Sequence, residues 1–164
     1  MANQQLVQKV QQTCSDFCVA LTQDEVSIFV RYTRLLELEP DAVLADIGDV
    51  GDSFYMIIGG AIKLYQIRDV EEFEVGEISA GGLVGEMSFF DHQPRTLRLK
   101  AHSKGARLLE VSRLMYNRLR IEEPYISTNL LEFVIRSLDV LVRDLSAQNT
   151  SLRARLSFLE DDSQ

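Results

Sequence analysis

LVGEMSFFDHQPRT, residues 83–96, sets a carboxylate, Glu86, just after an apolar strand-like run and a guanidinium, Arg95, nine residues later. A charge among apolar neighbours is costly unless something pairs it, so a structural ion pair between the two is one reading. The other is a ligand that carries hydroxyls for the acid and negative charge for the arginine. Gly85 lacks a Cβ and lets the backbone approach a ligand or another strand, and a short helix is expected to start at Glu86. The free amides of Met87 and Ser88 then point at whatever precedes that helix, a position that favours an anion. Arg95 aims a fixed charge of bidentate geometry at the same volume, so phosphate is the natural guest. Glu86 does not neutralise a phosphate but accepts a hydrogen bond from a hydroxyl attached to one. The glycines around this segment have the wrong spacing for a dinucleotide fingerprint and lie outside any alternating βαβ pattern.

Upstream of this segment the texture is β-rich and punctuated by turns: AVLADIGDVGDSFYMIIGGAIKLYQI, then EFEVGEISAGGLVGE; TLRLKA and ARLLEVS follow it. Tyr55, Ile57, Ile62, Leu64 and Ile67 suit half-buried strands, and the glycines at 48, 51, 59 and 60 suit turns. Many short strands at this spacing suggest a roll or sandwich. Before them, a helix is expected over residues 4–20. A second begins at the capping box Thr22-Gln-Asp-Glu25, with Val26, Phe29, Val30 and Thr33 in helical spacing toward the stop at Pro40.

The last third reads as one long helix from Pro124. Leu131, Leu138, Leu145, Leu152 and Leu159 recur every seventh residue, and Ile135, Val142, Asn149 and Leu156 fill the alternate seam. Leucine at d, β-branched residues at two a positions and a single a-position asparagine favour a parallel two-stranded coiled coil, with Arg155 able to reach Glu160 of the other helix. A homodimer is expected. Phe133, Val134 and Leu141 widen the stripe, so the first half of the helix is expected to face the β core as well.

The chain has 164 residues, 46% hydrophobic and 26% charged, ordinary values for one globular domain that buries roughly 70% of its unfolded surface. No apolar run reaches the roughly 20 residues of a membrane span, and the polar start MANQQLVQKVQQ lacks the apolar core of a signal peptide, so no membrane partner and a cytoplasmic location are expected. A formal charge of -8 and a pI near 4.8 disfavour nucleic acid as a partner. Cys14 and Cys18 read as small buried residues, and with only two histidines no metal site is expected. His92 has no recognisable catalytic partner. With no nucleophile and base and no paired acids, the chain does not read as an enzyme.

VLADIGDVGDSFYMIIGGAIKLY and GLVGEMSFFDHQPRT together resemble the turn-and-strand and phosphate-binding cassette of cyclic nucleotide-binding domains, the type found in bacterial catabolite regulators, cyclic-nucleotide-dependent kinases and gated channels. The resemblance spans roughly residues 25–140. It implies a mainly β fold with flanking helices (α+β), a jelly-roll-like eight-stranded β-roll whose long C-terminal helix closes over the base and dimerises. The expected divisions are an N-terminal helical segment at 1–41, the β-roll at 42–122 and the C-terminal helix with its coiled coil at 123–160. By the same resemblance Gly85 and Glu86 hold the ribose 2′-hydroxyl, Arg95 takes the cyclic phosphate, and Met87, Ser88 and Thr96 add donors. Val84, Leu97, Leu141 and Arg143 would form the pocket wall and base contacts. The implied ligand is cyclic AMP or cyclic GMP, and the implied role is a homodimeric signalling sensor with an output protein as further partner. The sequence departs from the family at Leu97 and Arg98, where an alanine and a small hydroxyl residue are usual. If strand alternation holds there, Leu97 points with Arg95 and crowds the phosphate. The alternative is then a dimeric scaffold whose pocket binds no nucleotide.

Overall fold

In a computed structural model, which describes residues 2–161, helices α1 (Ala2–Thr13), α2 (Ser15–Cys18) and α3 (Gln23–Arg31) come first. The expected single helix over 4–20 is broken at Cys14, whose φ and ψ of −108° and 49° are not helical. The capping box of α3 is formed: the Thr22 hydroxyl accepts from the Glu25 N–H at 3.2 Å, and the Glu25 carboxylate accepts from the Thr22 N–H at 2.8 Å.

The helical pattern does not continue to Pro40. After Arg31 the Thr33 hydroxyl turns back onto the Val30 carbonyl at 2.8 Å, and the chain becomes strand β1 (Arg34–Leu38), antiparallel to the end of β6. Leu36 and Leu38 pack into the roll while Leu35 and Glu37 alternate outward, so the period of burial changes from helical to two. The segment 1–41 is therefore not wholly helical.

Strands β2 (Val43–Ala45), β3 (Ser53–Arg68), β4 (Glu71–Ser79), β5 (Leu83–Val84) and β6 (Arg98–Ser112) complete one antiparallel sheet in the order β1-β6-β3-β4, with β2 on β6 and β5 on β3. Among the described residues six strands stand where eight were expected, because β3 and β6 run through bends that would otherwise divide them. The bend in β3 lies at Gly59 and Gly60, where its register with β6 shifts. Gly60 has φ +70°, and a Cβ there would fall 2.4 Å from the Gly105 carbonyl oxygen, so glycine permits the close approach of the two long strands at the bend.

Alternation along β3 creates two apolar layers. Phe54, Met56 and Ile58 face the helices, joining Phe17, Phe29, Phe89 and Phe133 in one core. Ile57 and Ile62 face the roll interior with Val84, Leu99 and Leu108, and Tyr55 packs at its margin. Residues 113–122, expected within the roll, form helix α5 (Arg113–Glu122), whose first turn is capped by the Ser112 hydroxyl at 3.3 Å from the Met115 N–H. Helix α6 (Pro124–Asp161) starts at the expected proline and extends 38 residues. Its start packs Ile126, Leu130, Phe133 and Val134 into the helical core, and Leu131 and Leu138 lean on that core. From Ile135 onward Val142, Leu145, Leu152 and Leu156 are exposed. Asn149 is exposed with them, and the side chain of Leu159 lies outside the described residues.

Candidate ligand site

Gly85 precedes helix α4 (Glu86–Asp91) with φ 80° and ψ 0°, a left-handed turn that swings Glu86 inward. The Glu86 side chain is buried, and burial pushes its carboxyl above the usual carboxylate range, with its own backbone N–H and the Arg95 charge opposing that shift. The ion-pair reading fails here. The Arg95 guanidinium donates to the Gly85 carbonyl at 3.2 Å and to the Ser53 carbonyl at 3.3 Å, not to the Glu86 carboxylate.

Two glycines give that guanidinium its room. A Cβ on Gly51 would lie 2.7 Å from Nη2, and one on Gly85 would lie 3.0 Å from Nη1. Around them the turn at residues 46–51 is stapled to the cassette. The Gly48 N–H donates to the Arg95 carbonyl, the Arg95 N–H donates to the Asp49 carbonyl, both at 2.8 Å, and Val50 bridges Pro94. The Ser88 hydroxyl accepts from the Gly51 N–H at 2.7 Å and donates its single hydrogen to the Gln93 carbonyl at 2.6 Å. Its side chain therefore holds the turn in place and is not the phosphate donor expected from the sequence.

These elements enclose an open hollow of about 330 Å³, whose walls include Leu44, Ala45, Asp49, Gly51, Tyr55 and Arg95. The volume falls in the range of small-molecule sites, roughly 300–1,000 Å³. Tyr55 borders the hollow half-buried, and burial raises its hydroxyl above the usual phenol range. From the sequence Tyr55 is expected only as a strand residue and Gly51 only as a turn residue, and the structure sets both on the hollow. The signal for Tyr55 was alternation against Phe54 and Met56, which sends it toward the roll interior.

The other expected site residues divide. Val84 is buried in β5, paired with Tyr55. Met87 occupies the first turn of α4 with an exposed side chain. Thr96 is exposed in the bend after Arg95 and does not line the hollow. Residues 96–97 form a bend and β6 begins only at Arg98, so the alternation argument has no strand to act on at Leu97. Leu97 lies outside the walls of the hollow, as do Gly85 and Glu86, which border it through Arg95. Leu141 and Arg143 are not brought to the site: both are exposed on α6, and Arg143 pairs with Asp139 at 3.3 Å.

Cys14 is buried and Cys18 partly so, and burial pushes their thiols up to about 12 and about 11, which makes them poor nucleophiles. Among the described residues no three metal-ligating side chains gather, and no helix is long and apolar enough to cross a membrane.

Residues 35–120 match the family model described as the cyclic nucleotide-binding domain. The chain belongs to this family. A cyclic nucleotide-binding domain from Methylobacillus flagellatus superposes with a TM-score of 0.76 at 20% identity, covering 86% of this chain and 80% of that one. The catabolite activator protein of Thermus thermophilus gives 0.67 at 23% identity, covering 82% of this chain and 63% of that one. Among curated sequences, the cAMP-dependent protein kinase regulatory subunit of Colletotrichum orbiculare is 26% identical over 103 residues, 57% of this chain. The aligned stretch spans only 26% of that subunit's length, so the likeness is one of domain and not of whole protein. Within this cyclic nucleotide-binding domain, the matched residues contain the whole of the turn, cassette and hollow described above.

Proposed function

We propose that this domain binds a cyclic nucleotide, cyclic AMP or cyclic GMP, in the hollow beside Arg95 and acts as a homodimeric sensor. Arg95 takes the cyclic phosphate, while Glu86 and the Gly85 backbone take the ribose 2′-hydroxyl. The observation that carries this reading is a guanidinium held between two glycines that, among the described residues, hydrogen-bonds to backbone carbonyls and to no carboxylate. A buried carboxylate raised by desolvation complements it, since a hydroxyl donor would restore what burial removes. Dimerisation is supported by the apolar stripe that α6 exposes beyond Ile135 at heptad spacing, with Asn149 in the seam setting register. Ligand binding would bias that dimer toward one arrangement, and an output protein would read the change. The alternative reading, a nucleotide-free scaffold, rested on strand alternation at Leu97, and residues 96–97 form a bend instead.

The test is calorimetric titration of the unfolded, stripped and refolded chain with each nucleotide, beside Arg95→Ala. Saturable heat with one nucleotide, absent in the variant, is expected. Heat from neither would return the scaffold reading. Sedimentation across a concentration series is expected to give a dimer, and a monomer throughout would remove the sensor's proposed architecture.

A further inference from the structure

Arg98 is the second residue at which the cassette departs from its family, and it joins parts of the roll that are distant in sequence. Its Nε and Nη2 grip the Asp46 carboxylate at 2.9 and 3.0 Å, and its Nη1 bonds Glu72 on β4. Lys100 meets the other Glu72 oxygen at 3.1 Å and lies over the Tyr65 ring. A planar fork held on two edges by carboxylates has little freedom left, unlike an isolated surface pair.

Asp46 is the first residue of the turn that borders the hollow. Its carboxylate also accepts from the Ile47 N–H at 2.8 Å, and its N–H donates to the Asp49 carboxylate at 2.9 Å. The Asp49 N–H closes the turn on the Asp46 carbonyl at 3.2 Å. From this turn come both backbone bonds to Arg95. The chain of contact therefore runs from Arg98 through Asp46 and the turn to the backbone of Arg95.

We propose that Arg98 is a positioning residue: by clamping Asp46 against β6 and β4 it sets the turn at residues 46–51, and so the place of the Arg95 guanidinium in the hollow. It touches no ligand itself. In this chain a charged clamp occupies the place of the family's small hydroxyl residue, and the geometry of the phosphate site depends on a guanidinium outside it. The effect on nucleotide affinity rests on the proposed function; the effect on the turn does not.

The experiment uses the full chain with Arg98→Ala, Arg98→Lys, Asp46→Asn and the combination of the first and third, reading amide hydrogen exchange without ligand and affinity for cyclic AMP and cyclic GMP. Expected are exchange about tenfold faster at the Gly48 and Arg95 amides in Arg98→Ala and in Asp46→Asn, nucleotide binding weakened by a similar factor, and a combination no worse than either alone. Arg98→Lys, with one ammonium for two carboxylates, should lie between. The Ile57 amide, which bonds the Gly82 carbonyl inside the roll, should keep its protection in every variant. Unchanged exchange at Gly48 and Arg95, or equal acceleration at Ile57, would overturn the clamp. Should the wild type bind neither nucleotide, the proposed function fails and exchange at Gly48 and Arg95 still decides the clamp.

Discussion

Arg95 and Arg98 stand three residues apart, yet the regions they occupy treat a guanidinium in opposite ways. On the outer face Arg98 is surrounded by Asp46 and Glu72, and those contacts hold both carboxyls below the usual carboxylate range. In the hollow the Arg95 guanidinium hydrogen-bonds, among the described residues, to carbonyls alone, with glycines where side chains would sit. A cation saturated with carboxylates builds structure; a cation held by dipoles keeps its charge for an anion. The difference teaches that residue type and proximity in sequence do not separate a charge paired with carboxylates from one held by dipoles, whereas the folded partners do.

The contrast breaks first at Arg95. Arg95→Ala should weaken nucleotide binding by about a hundredfold or more, as the loss of two charge-assisted hydrogen bonds of roughly 1.5–3 kcal/mol each implies. Calorimetry with unchanged affinity would place the phosphate elsewhere.

Glu86→Gln sharpens the contrast by separating binding from stability. Binding should fall about tenfold as the ribose loses a charged acceptor. The ligand-free protein should melt higher than wild type at neutral pH. The folded Glu86 carboxyl is raised, so its contribution is fully present below the unfolded carboxyl pKa and is lost as pH rises through the folded one. The variant's advantage should therefore shrink as pH falls through that window. Melting curves at several pH values check the sign, and an advantage that grows toward acid pH would contradict the buried carboxylate.

Gly51→Ala tests the room around the guanidinium. No positive φ forbids alanine there, but its Cβ would stand 2.7 Å from Arg95 Nη2 and 3.1 Å from the Phe89 backbone nitrogen. The arginine can shift and the backbone cannot, so a several-fold loss of affinity with a smaller fall in melting temperature is expected. The smallest effect belongs to the outer face away from the turn. Lys63→Ala breaks a partly exposed pair with Glu74, 3.0 Å long, and should leave both melting temperature and nucleotide affinity unmoved.

Much of the site was legible because its local chemistry is dense. The candidate residues Gly85, Glu86 and Arg95 stand out by residue type, and the Thr22-Glu25 box by hydrogen bonds that close within one turn. The roles of Ser88 and Leu97 were misread for one reason: each was assigned from a local rule, and a contact or bend overrode it. Ser88 has a hydroxyl beside a phosphate segment, but Gly51 and Gln93 occupy it. Leu97 follows Arg95 by two residues, but the chain is bent there and not pleated. The strand at Arg34–Leu38 was hidden because RLLEL suits a helix edge as well as a strand, and its antiparallel partner lies about seventy residues onward. Tyr55 and Gly51 gained their places in the hollow from elements folded against them, not from their neighbours.

The sequence by itself determined the β-rich centre between helices, the α3 cap, the start of α6 at Pro124, its heptad pattern, and the opposed charges of the cassette, because each depends on residues a few positions apart. Only the tertiary structure decided that Arg95 escapes Glu86, that Ser88 serves the turn and that Arg98 binds Asp46. The same holds for the merging of the expected short strands into two long bent ones. Most of these outcomes depend on partners far away in sequence, and which of several competing partners a side chain takes is settled by packing and burial once the strands have paired.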